Sequence, residues 1–329
     1  MAEPKPAPLK LLLLGGPKFV GRALIEAALA RGHEVTTFNR GQTNAEIFPE
    51  VEKLHGYRDG DLDALRGRTW NAALDTSGYV PRIVRDSAEL LAHAVEQYVF
   101  VSSISYYADY REPRREEDPA EELGDLPEDR LLDDYSNYGA LKALCEQAAG
   151  DVFGERALLV RPGLIVGPHD PTDRFTYWPH RARRGGPILA PAPPDQPVQM
   201  IDVRDLAEWM LIMVEGRRGG VFNATSTPGA LTFGGMLEAC GVREVVWVDE
   251  AFLLDHGVEE WSDLPCWISS RDDSHASFQL VDVSRAVAAG LTFRPLGHSA
   301  RDVPEWTGRA GLQPVREAEL LEAWKAGVA

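Results

Sequence analysis

Near its start the chain reads Lys10-Leu11-Leu12-Leu13-Leu14-Gly15-Gly16-Pro17-Lys18-Phe19-Val20-Gly21. The apolar run that ends at Leu14 is too short to span a membrane and predicts a buried strand. The glycines after it allow a tight turn and let a pyrophosphate approach the N-terminus of the following helix. Because Lys18 replaces a glycine of the usual dinucleotide-binding fingerprint, a plain strand–helix turn is the alternative. The predicted cofactor contacts in this loop are Gly15, Gly16, Lys18, Phe19, Val20 and Gly21.

The first half of the chain alternates short apolar runs with helical stretches. The predicted strands are Lys10–Leu14, Glu34–Phe38, Ala72–Asp75, Tyr98–Val101, Ala157–Arg161 and, later, Val198–Ile201. The predicted helices are Val20–Arg31, Val84–Glu96, Ser136–Gly150 and Val203–Glu215. This order is typical of an α/β fold of the Rossmann type, a doubly wound parallel sheet with helices on both faces.

The second half of the chain has a less regular order of elements. We therefore predict a flexible N-terminus at 1–8, a NAD(P)-binding domain at 9–168 and a smaller, mainly substrate-binding lobe at 169–329. Within that lobe, the segment near 198–225 is predicted to return to the first domain. Ligands of such folds bind at the carboxyl ends of the parallel strands, so we expect the lobe to close over that edge.

The end of the second predicted strand indicates which nicotinamide cofactor the protein prefers. It reads Phe38-Asn39-Arg40-Gly41, about 20 residues beyond the glycine loop, where an acid would bind the ribose 2′-hydroxyl of NAD. Asn39 replaces that acid, Arg40 offers a guanidinium suited to a 2′-phosphate, and Lys18 adds a second positive charge. These residues favour NADP(H) over NAD(H). The alternative is that Arg40 is a solvated turn residue.

Two more turns lie at the ligand-facing edge of the predicted sheet. Gly60-Asp61-Leu62 follows the third strand, and Asp75-Thr76-Ser77-Gly78 ends the fourth. The predicted cofactor contacts there are Asp61, Leu62, Thr76, Ser77 and Gly78, with Asp61 as the acceptor for the adenine amine. Taken singly, each segment is also consistent with an ordinary turn.

A tyrosine and a lysine four residues apart, Tyr138 and Lys142, indicate carbonyl chemistry. The spacing places both side chains on one face of a helix. A lysine beside a phenol stabilises the phenolate, so the tyrosine can exchange a proton near neutral pH. Reduction or oxidation of a carbonyl needs such a group.

With these residues, the chain resembles the extended short-chain dehydrogenase/reductase superfamily from about Leu9 to Trp306. The motifs that carry the resemblance are the glycine loop, Gly60-Asp61-Leu62, Phe100-Val101-Ser102-Ser103, Tyr138-Gly139-x-x-Lys142, Arg161-Pro162, Gly167-Pro168 and Met200–Ala207. The resemblance implies that Ser103 orients a substrate carbonyl and that Tyr138 is the acid/base. It also implies that Lys142 lowers the pKa of Tyr138 and binds the nicotinamide ribose, and that Pro162 contacts the cofactor.

The family pattern places the catalytic serine four residues before an aromatic residue, here Tyr107, and this selects Ser103. For the neighbouring Ser102 and Ser105, a structural role at the strand end is the alternative.

The glycine loop, with its pattern Gly-Gly-x-x-Phe-x-Gly, resembles an atypical branch of the superfamily that includes bacterial reductases, epimerases and chloroplast RNA-binding relatives. Sugar-nucleotide dehydratases of the superfamily carry Thr-Asp-Glu where this chain has Ser103-Ile104-Ser105, so that chemistry is not expected. Many nucleotide-sugar epimerases carry an asparagine in the segment that reads Arg161-Pro162-Gly163-Leu164-Ile165-Val166-Gly167 here. Its absence disfavours a sugar-nucleotide substrate.

An aromatic and cationic run, Asp173-Arg174-Phe175-Thr176-Tyr177-Trp178, follows at the start of the second lobe. As a pocket wall it would suit a planar or apolar molecule, with Arg174 binding a carboxylate or phosphate. The predicted substrate contacts are Tyr79, Tyr106, Arg174, Phe175 and Trp178. The alternative for Phe175 and Trp178, three residues apart, is the core face of a short helix.

The formal net charge of −17 excludes few functions but disfavours nucleic-acid binding, because an acidic surface repels phosphate backbones. Twelve acids against four arginines fall between Asp109 and Asp134, as in a solvated loop. The three cysteines are widely separated and no metal-like spacing of Cys and His occurs, so we predict no metal site. We also predict no membrane segment and, without a signal peptide, a cytoplasmic location.

The sequence therefore predicts an enzyme, an NADPH-dependent reductase of a carbonyl or imine group in a small metabolite. The alternative is a NAD-dependent nucleotide-sugar epimerase with a tightly bound cofactor. A third hypothesis is a non-catalytic protein that senses a cofactor, which an intact set of Ser103, Tyr138 and Lys142 disfavours. The resemblance also makes a homodimer plausible, through the helices near 84–96 and 136–150.

Overall fold

The computed structural model describes residues 7–269, 271 and 273–328 of the 329-residue chain. The predicted flexible N-terminus, 1–8, lies outside the described residues except for its last two.

Strands and helices alternate through the first half, as the periodicity predicts. The strands are β1 Lys10–Leu14, β2 Glu34–Asn39, β3 Glu52–His55, β4 Trp70–Asp75, β5 Val95–Val101, β6 Ala157–Pro162, β7 Leu164–Val166, β8 Ile188–Pro191, β9 Met200–Asp202, β10 Gly220–Ala224 and β11 Val245–Val248. The helices are α1 Val20–Arg31, α2 Pro81–Leu91, α3 Tyr138–Phe153, α4 Tyr177–Arg184, α5 Val203–Glu215, α6 Phe233–Ala239, α7 Glu250–Asp255, α8 Ser284–Ala288, α9 Leu296–Arg301 and α10 Pro314–Val328.

A seven-stranded sheet forms the centre of the molecule, in the order β10-β6-β5-β4-β1-β2-β3. Its neighbouring strands all pair in parallel, with β1 between β2 and β4. The strand order reverses at β1, and this point is where ligands of doubly wound sheets bind. The predicted fold class is therefore confirmed.

Helices cover both faces of this sheet. On one face α1 and α5 pack together over a core that includes Leu24, Leu206 and Met210. On the other face α2 and α3 pack together over a core that includes Val84, Tyr98 and Cys145. Helix α1 buries residues spaced three and four apart and ends at Gly32, whose left-handed backbone (φ 88°) closes the last turn.

A second core belongs to the predicted substrate lobe and contains Phe175, Trp178, Phe233 and Trp267. Two small parallel pairs of strands lie beside it, β8 with β11 and β7 with β9. Within the segment near 198–225, α5 packs on α1 and β10 pairs with β6.

Two helices differ from their predicted bounds. The helix predicted at Ser136–Gly150 runs instead from Tyr138 to Phe153. The helix predicted at Val84–Glu96 begins earlier, at Pro81, and ends at Leu91. Residues from Val95 onward form β5 instead, because Val95 pairs with Trp70 in the sheet. That pairing satisfies the backbone groups of this segment through a strand distant in sequence, which local periodicity does not reveal.

None of the helices formed by the described residues is both long and apolar enough to cross a membrane.

Candidate cofactor and active site

The glycine loop joins β1 to α1 and has the features of an anion cradle. The backbone N–H of Gly15 donates to Phe38 O at 3.1 Å, which ties the loop to β2. No side chain caps the N-terminus of α1 and no acid lies in its first turn, so this positive helix end is available to an anion. A Cβ at Gly21 would overlap with the carbonyl oxygen of Gly16. These features fit the pyrophosphate of a dinucleotide.

The amide of Asn39 connects the glycine loop to the turn after β2. Its Nδ2 donates to Gly15 O at 3.2 Å, and its Oδ1 accepts from Gly41 N at 2.8 Å. Arg40 and Lys18 are exposed, and neither forms an ion pair among the residues that the structure describes. Two free cations therefore lie on the rims of adjacent loops, as a 2′-phosphate site requires.

The ends of β3 and β4 carry a buried ion pair that the sequence did not predict. The guanidinium of Arg58 binds both carboxylate oxygens of Asp75, with Nη1 at 2.5 Å from Oδ1, and donates to Ser87 Oγ at 2.9 Å. Asp75 also accepts from Tyr98 Oη at 2.8 Å. The nearby negative charge of Asp75 raises the pKa of Arg58 although burial opposes this. The only sequence signal was the position of Arg58 directly after a strand.

The predicted contacts after β4 lie at the carboxyl edge of the sheet. Thr76 Oγ1 and Ser77 Oγ donate to Leu14 O at 3.3 and 3.2 Å, beside the glycine loop. The carbonyl of Gly78 accepts from Lys142 Nζ at 2.9 Å. These three residues thus connect the predicted cofactor loop to the predicted catalytic lysine.

The two cofactor contacts predicted in the turn after β3, Asp61 and Leu62, have different environments. Asp61 is exposed, and its N–H donates to Tyr57 O at 2.8 Å. Leu62 is partly buried and packs against the apolar core between the sheet and α2, and its contact with the cofactor stays a prediction. Pro162, by contrast, lies at the end of β6, at the same edge as the catalytic residues.

Three predicted catalytic residues come together where β5 ends and α3 begins. Ser103 follows β5, and its Oγ accepts from Ser105 N at 3.0 Å and donates to Ser105 Oγ at 3.1 Å. Tyr138 is the first residue of α3. The Nζ of Lys142, one turn later, donates to Val101 O at 2.7 Å and to Gly78 O. Ser102 Oγ is buried without a partner in the described part of the chain.

Burial dominates the electrostatics of this group. It raises the pKa of Tyr138 to about 12, against smaller lowering effects of the nearby Ser103 hydroxyl and the positive charge of Arg174. It lowers the pKa of Lys142 to about 8. The resemblance implied that Lys142 lowers the pKa of Tyr138. In the protein without cofactor, the net shift of Tyr138 is upward, and the ammonium of Lys142 is bonded to backbone carbonyls.

Gly139 brings α3 close to the Ser103 loop, because a Cβ there would overlap with Ser105 O and the Glu121 carboxylate. We expect Gly139→Ala to lower the free energy of unfolding by about 1–3 kcal/mol, since the backbone must move to relieve the overlap. Gly150→Ala is the matched control: it lies on the same helix with no atom within 4 Å of the added methyl group. Urea unfolding of both variants tests this, and equal stability of the two would contradict it.

A second buried ion pair contacts the loop that follows Ser103. Arg161 binds Glu146 through Nη2 and Oε2 at 2.7 Å, and its Nη1 donates to Tyr107 Oη at 3.2 Å. Its guanidinium carbon lies 3.3 Å from the ring centroid of Tyr106. Tyr107 in turn donates to Asn223 Oδ1 at 2.6 Å. The ring of Tyr106, which was predicted to contact substrate, therefore stacks on the guanidinium of Arg161.

The side chains of the aromatic run at the start of the second lobe differ in burial. Phe175 and Trp178 are fully buried in the lobe's core, and Trp178 Nε1 donates to Pro265 O at 2.9 Å. Their prediction as substrate contacts is wrong, because three-residue spacing on this segment produces a core face. Arg174 is partly buried, with its guanidinium carbon 5.6 Å from the ring centroid of Trp261.

Exposed aromatic rings surround the Tyr138 phenol. Tyr79, a predicted substrate contact, is 43% exposed with its ring centroid 6.5 Å from that of Tyr138. Tyr135, which the sequence did not suggest, lies on the other side at 6.1 Å. Two exposed aromatic rings therefore flank the Tyr138 ring and offer apolar surface to a ligand.

No metal-binding cluster accompanies these groups: the described residues contain no set of three His, Cys, Asp or Glu side chains that could hold an ion. Cys145, Cys240 and Cys266 are free and buried.

Comparison with known proteins agrees with this architecture. The model of the NAD dependent epimerase/dehydratase family matches residues 82–225. This match covers less than half of the chain. The crystal structure of human epimerase family protein SDR39U1 (isoform 2) with NADPH superposes with a TM-score of 0.58 at 22% identity, over 89% of this chain and 98% of that one. The resemblance to extended short-chain dehydrogenases/reductases is thus confirmed, and the family is NAD(P)-dependent.

Two relatives by sequence have different printed roles. The chloroplast stem-loop binding protein of 41 kDa b of Arabidopsis thaliana is 27% identical over 251 residues, 70% of this chain and 62% of that protein. The 2-alkyl-3-oxoalkanoate reductase of Stenotrophomonas maltophilia is 29% identical over 196 residues, 54% of this chain and 57% of that protein. In both cases the match covers less than two thirds of the relative's length.

Proposed function

We propose that this protein is an NADPH-dependent reductase of a carbonyl or imine group in a small metabolite. One observation carries the proposal: the start of α3, with Tyr138 and Lys142 one turn apart, packs against the Ser103 loop, where Gly139 adjoins Ser105 O and Lys142 Nζ donates to Val101 O at 2.7 Å. The three catalytic residues lie at the sheet edge that also holds the glycine loop. The reductase activity named for the Stenotrophomonas relative and the NADPH named with the human structure support the same function.

The chain's own residues have distinct tasks in this mechanism. NADPH, when bound, supplies the hydride that adds to the acceptor carbon. The Ser103 hydroxyl donates to the acceptor oxygen and orients it. Tyr138 transfers its phenolic proton to that oxygen as the C=O double bond becomes a single bond, which leaves an alcohol and a phenolate. The positive charge of Lys142 stabilises the phenolate until solvent returns the proton.

A nucleotide-sugar epimerase with retained NAD is the second candidate, because the matched family model includes epimerases. The two functions differ in their cofactor balance, since an epimerase regenerates its cofactor within each turnover. We expect purified protein to oxidise NADPH stoichiometrically with a reducible carbonyl compound. Cofactor that stays bound through gel filtration, together with no net NADPH oxidation, would support the epimerase instead. Release by denaturation and mass identification distinguishes NAD from NADP.

Arg40 is proposed to bind the 2′-phosphate of NADPH, together with Lys18. We expect Arg40→Ala to raise the Kd for NADPH by about 10- to 100-fold, because a charge-assisted bond is lost, and to change the Kd for NADH little. Fluorescence titration with both cofactors measures this. Arg66→Ala is the control, since Arg66 is an exposed arginine that pairs with Asp63 away from the glycine loop. Equal losses for NADPH and NADH in Arg40→Ala would count against this role.

A non-catalytic role, as suggested by the printed name of the Arabidopsis relative, is less compatible with this chain. The net charge of −17 disfavours an RNA partner. A homodimer stays a prediction. The outer surface of α2 and α3 carries charged side chains, among them Arg85 and Asp151 in a mutual ion pair at 3.0 Å, so a dimer formed there would have a polar interface.

A further inference from the structure

The buried ion pair of Arg58 and Asp75 lies beside the backbone that holds the catalytic lysine. The Asp75 carboxylate is fully buried, and its Oδ1 accepts from Arg58 Nη1 at 2.5 Å and from Ser77 N at 3.1 Å. A methyl group at Gly78 would lie 3.2 Å from its Oδ2. Gly78 O in turn accepts from Lys142 Nζ at 2.9 Å. Hydrogen bonds and direct packing thus connect the ion pair to the ammonium through two consecutive residues.

Arg58 fixes the orientation of that carboxylate. Its Nη2 binds Asp75 Oδ2, and its Nε donates to Ser87 Oγ at 2.9 Å. Tyr98 Oη donates to the same carboxylate oxygen at 2.8 Å. A bidentate guanidinium pair has a defined geometry, and the additional bonds restrict the rotation of both partners. The carboxylate is therefore held against the turn that follows β4.

The same turn is bonded to the strand that precedes the glycine loop. Arg58 Nη1 donates to Ser77 Oγ at 3.3 Å, and Ser77 Oγ donates to Leu14 O at 3.2 Å. Thr76 N donates to that carbonyl as well, at 3.1 Å. One buried ion pair therefore supports both the predicted cofactor loop and the lysine.

The groups in direct contact with the Lys142 ammonium are dipoles and aromatic rings. Its Nζ donates to Gly78 O at 2.9 Å and to Val101 O at 2.7 Å. It lies 4.5 Å from the ring centroid of Phe100 and 5.1 Å from that of Tyr79. Because the ammonium is buried, ionised groups beyond these contacts also affect whether it keeps its proton.

Titratable groups of three elements act on the pKa of Lys142. Burial lowers that pKa to about 8, and the positive charge of Arg58, after β3, acts in the same direction. The Cys145 thiol and the Glu146 carboxylate on α3 raise it, as does the Asp75 carboxylate at the end of β4. Asp75 has a larger effect than Arg58. The carboxylate of the ion pair therefore outweighs its guanidinium at this lysine.

We propose that Arg58 and Asp75 are positioning residues for the catalytic lysine. Asp75, oriented by Arg58, fixes the turn whose Gly78 carbonyl binds the Lys142 ammonium, and its negative charge stabilises that ammonium. This inference rests on the proposed reductase function, because the same ammonium stabilises the Tyr138 phenolate during reduction. The ion pair acts through Lys142 and takes no part in proton or hydride transfer.

Titration of Lys142 in the protein without cofactor tests the inference without turnover. The chain has six lysines, so in protein containing ¹³C-labelled lysine the Cε resonance that is missing from Lys142→Met identifies this residue by NMR. Wild type should titrate near pH 8. Asp75→Asn should lower the midpoint by about one pH unit, because the ammonium loses a stabilising charge while Arg58 keeps its own.

A double variant and a control complete the titration. Asp75→Asn leaves a buried guanidinium unpaired, so Arg58→Met/Asp75→Asn replaces it if the single variant does not fold. The midpoint of Lys142 in the double variant should also lie below that of wild type, since the carboxylate outweighs the guanidinium. Asp59→Asn is the control: Asp59 is paired with Arg82 at the surface, at 2.9 Å, and its loss should leave the midpoint unchanged.

A midpoint that stays at the wild-type value, or rises toward that of an ordinary lysine as in a loosened site, would overturn the inference. NADPH oxidation with a reducible carbonyl compound separates this question from the proposed function. If wild type reduces the compound but the midpoint does not fall, the reductase stands and the positioning role fails. If no carbonyl compound is reduced while the midpoint falls, the reductase fails and the effect of the ion pair on Lys142 stands. If both hold, kcat should begin to decline at a lower pH in Asp75→Asn than in wild type.

Discussion

Replacing Tyr138 with phenylalanine should lower kcat for carbonyl reduction by about 10³-fold, the usual contribution of a positioned general acid. The variant keeps the ring that lies between Tyr79 and Tyr135, so packing and NADPH affinity should change little. The substitution removes only the phenolic hydroxyl group and its proton. Steady-state kinetics together with an NADPH titration measure both quantities. An unchanged kcat in every activity found would refute the catalytic role of Tyr138.

The pH dependence of carbonyl reduction distinguishes the role of Tyr138 from the role of Lys142. With a pKa of about 12, Tyr138 keeps its proton throughout the neutral range and remains a donor. With a pKa of about 8, Lys142 is charged below that pH and neutral above it. Reduction should therefore slow as pH rises through 8, by up to about tenfold per unit, because the phenolate loses its positive neighbour. Lys142→Met should be slower and flat between pH 7 and 10. A wild-type profile that persists in this variant would contradict the assignment.

Replacing Glu146 with glutamine should lower the free energy of unfolding by about 3–5 kcal/mol, because it leaves the buried charge of Arg161 without its counter-ion. Both side chains are at most 4% exposed. The same change should disturb the Ser103 loop, since Arg161 also holds Tyr107 and stacks on Tyr106. Denaturant unfolding measures the stability loss.

Two further variants test the prediction for Glu146→Gln more sharply. Asp151→Asn breaks an exposed ion pair on the same helix and should cost less than about 1 kcal/mol. The double variant Glu146→Leu/Arg161→Met replaces both charges with apolar groups and should recover most of the lost stability. A Glu146→Gln protein as stable as Asp151→Asn would show that the buried pair contributes little.

Local patterns in the sequence were sufficient to predict the bounds of the elements that hold the cofactor loop. Strand β1 and helices α1 and α5 have the bounds that their periodicity predicts. The apolar spacing is strict in these segments, and their ends are marked by glycine or by a capping side chain such as Asp202. The spacing of Tyr138 and Lys142 likewise needs only the geometry of one helix.

Tertiary structure decided the features that depend on partners distant in sequence. Arg58 meets Asp75 only because β3 and β4 end at the same sheet edge, and Val95 joins a strand only because it pairs with Trp70. Phe175 and Trp178 have the composition of a pocket wall but form a core, since the second lobe surrounds them.

The sequence by itself determined the fold class and the group of catalytic side chains, because both follow from short-range spacing and strand-end chemistry. The tertiary structure decided which charges are paired, since the partners of Arg58 and Arg161 come from other strands and helices.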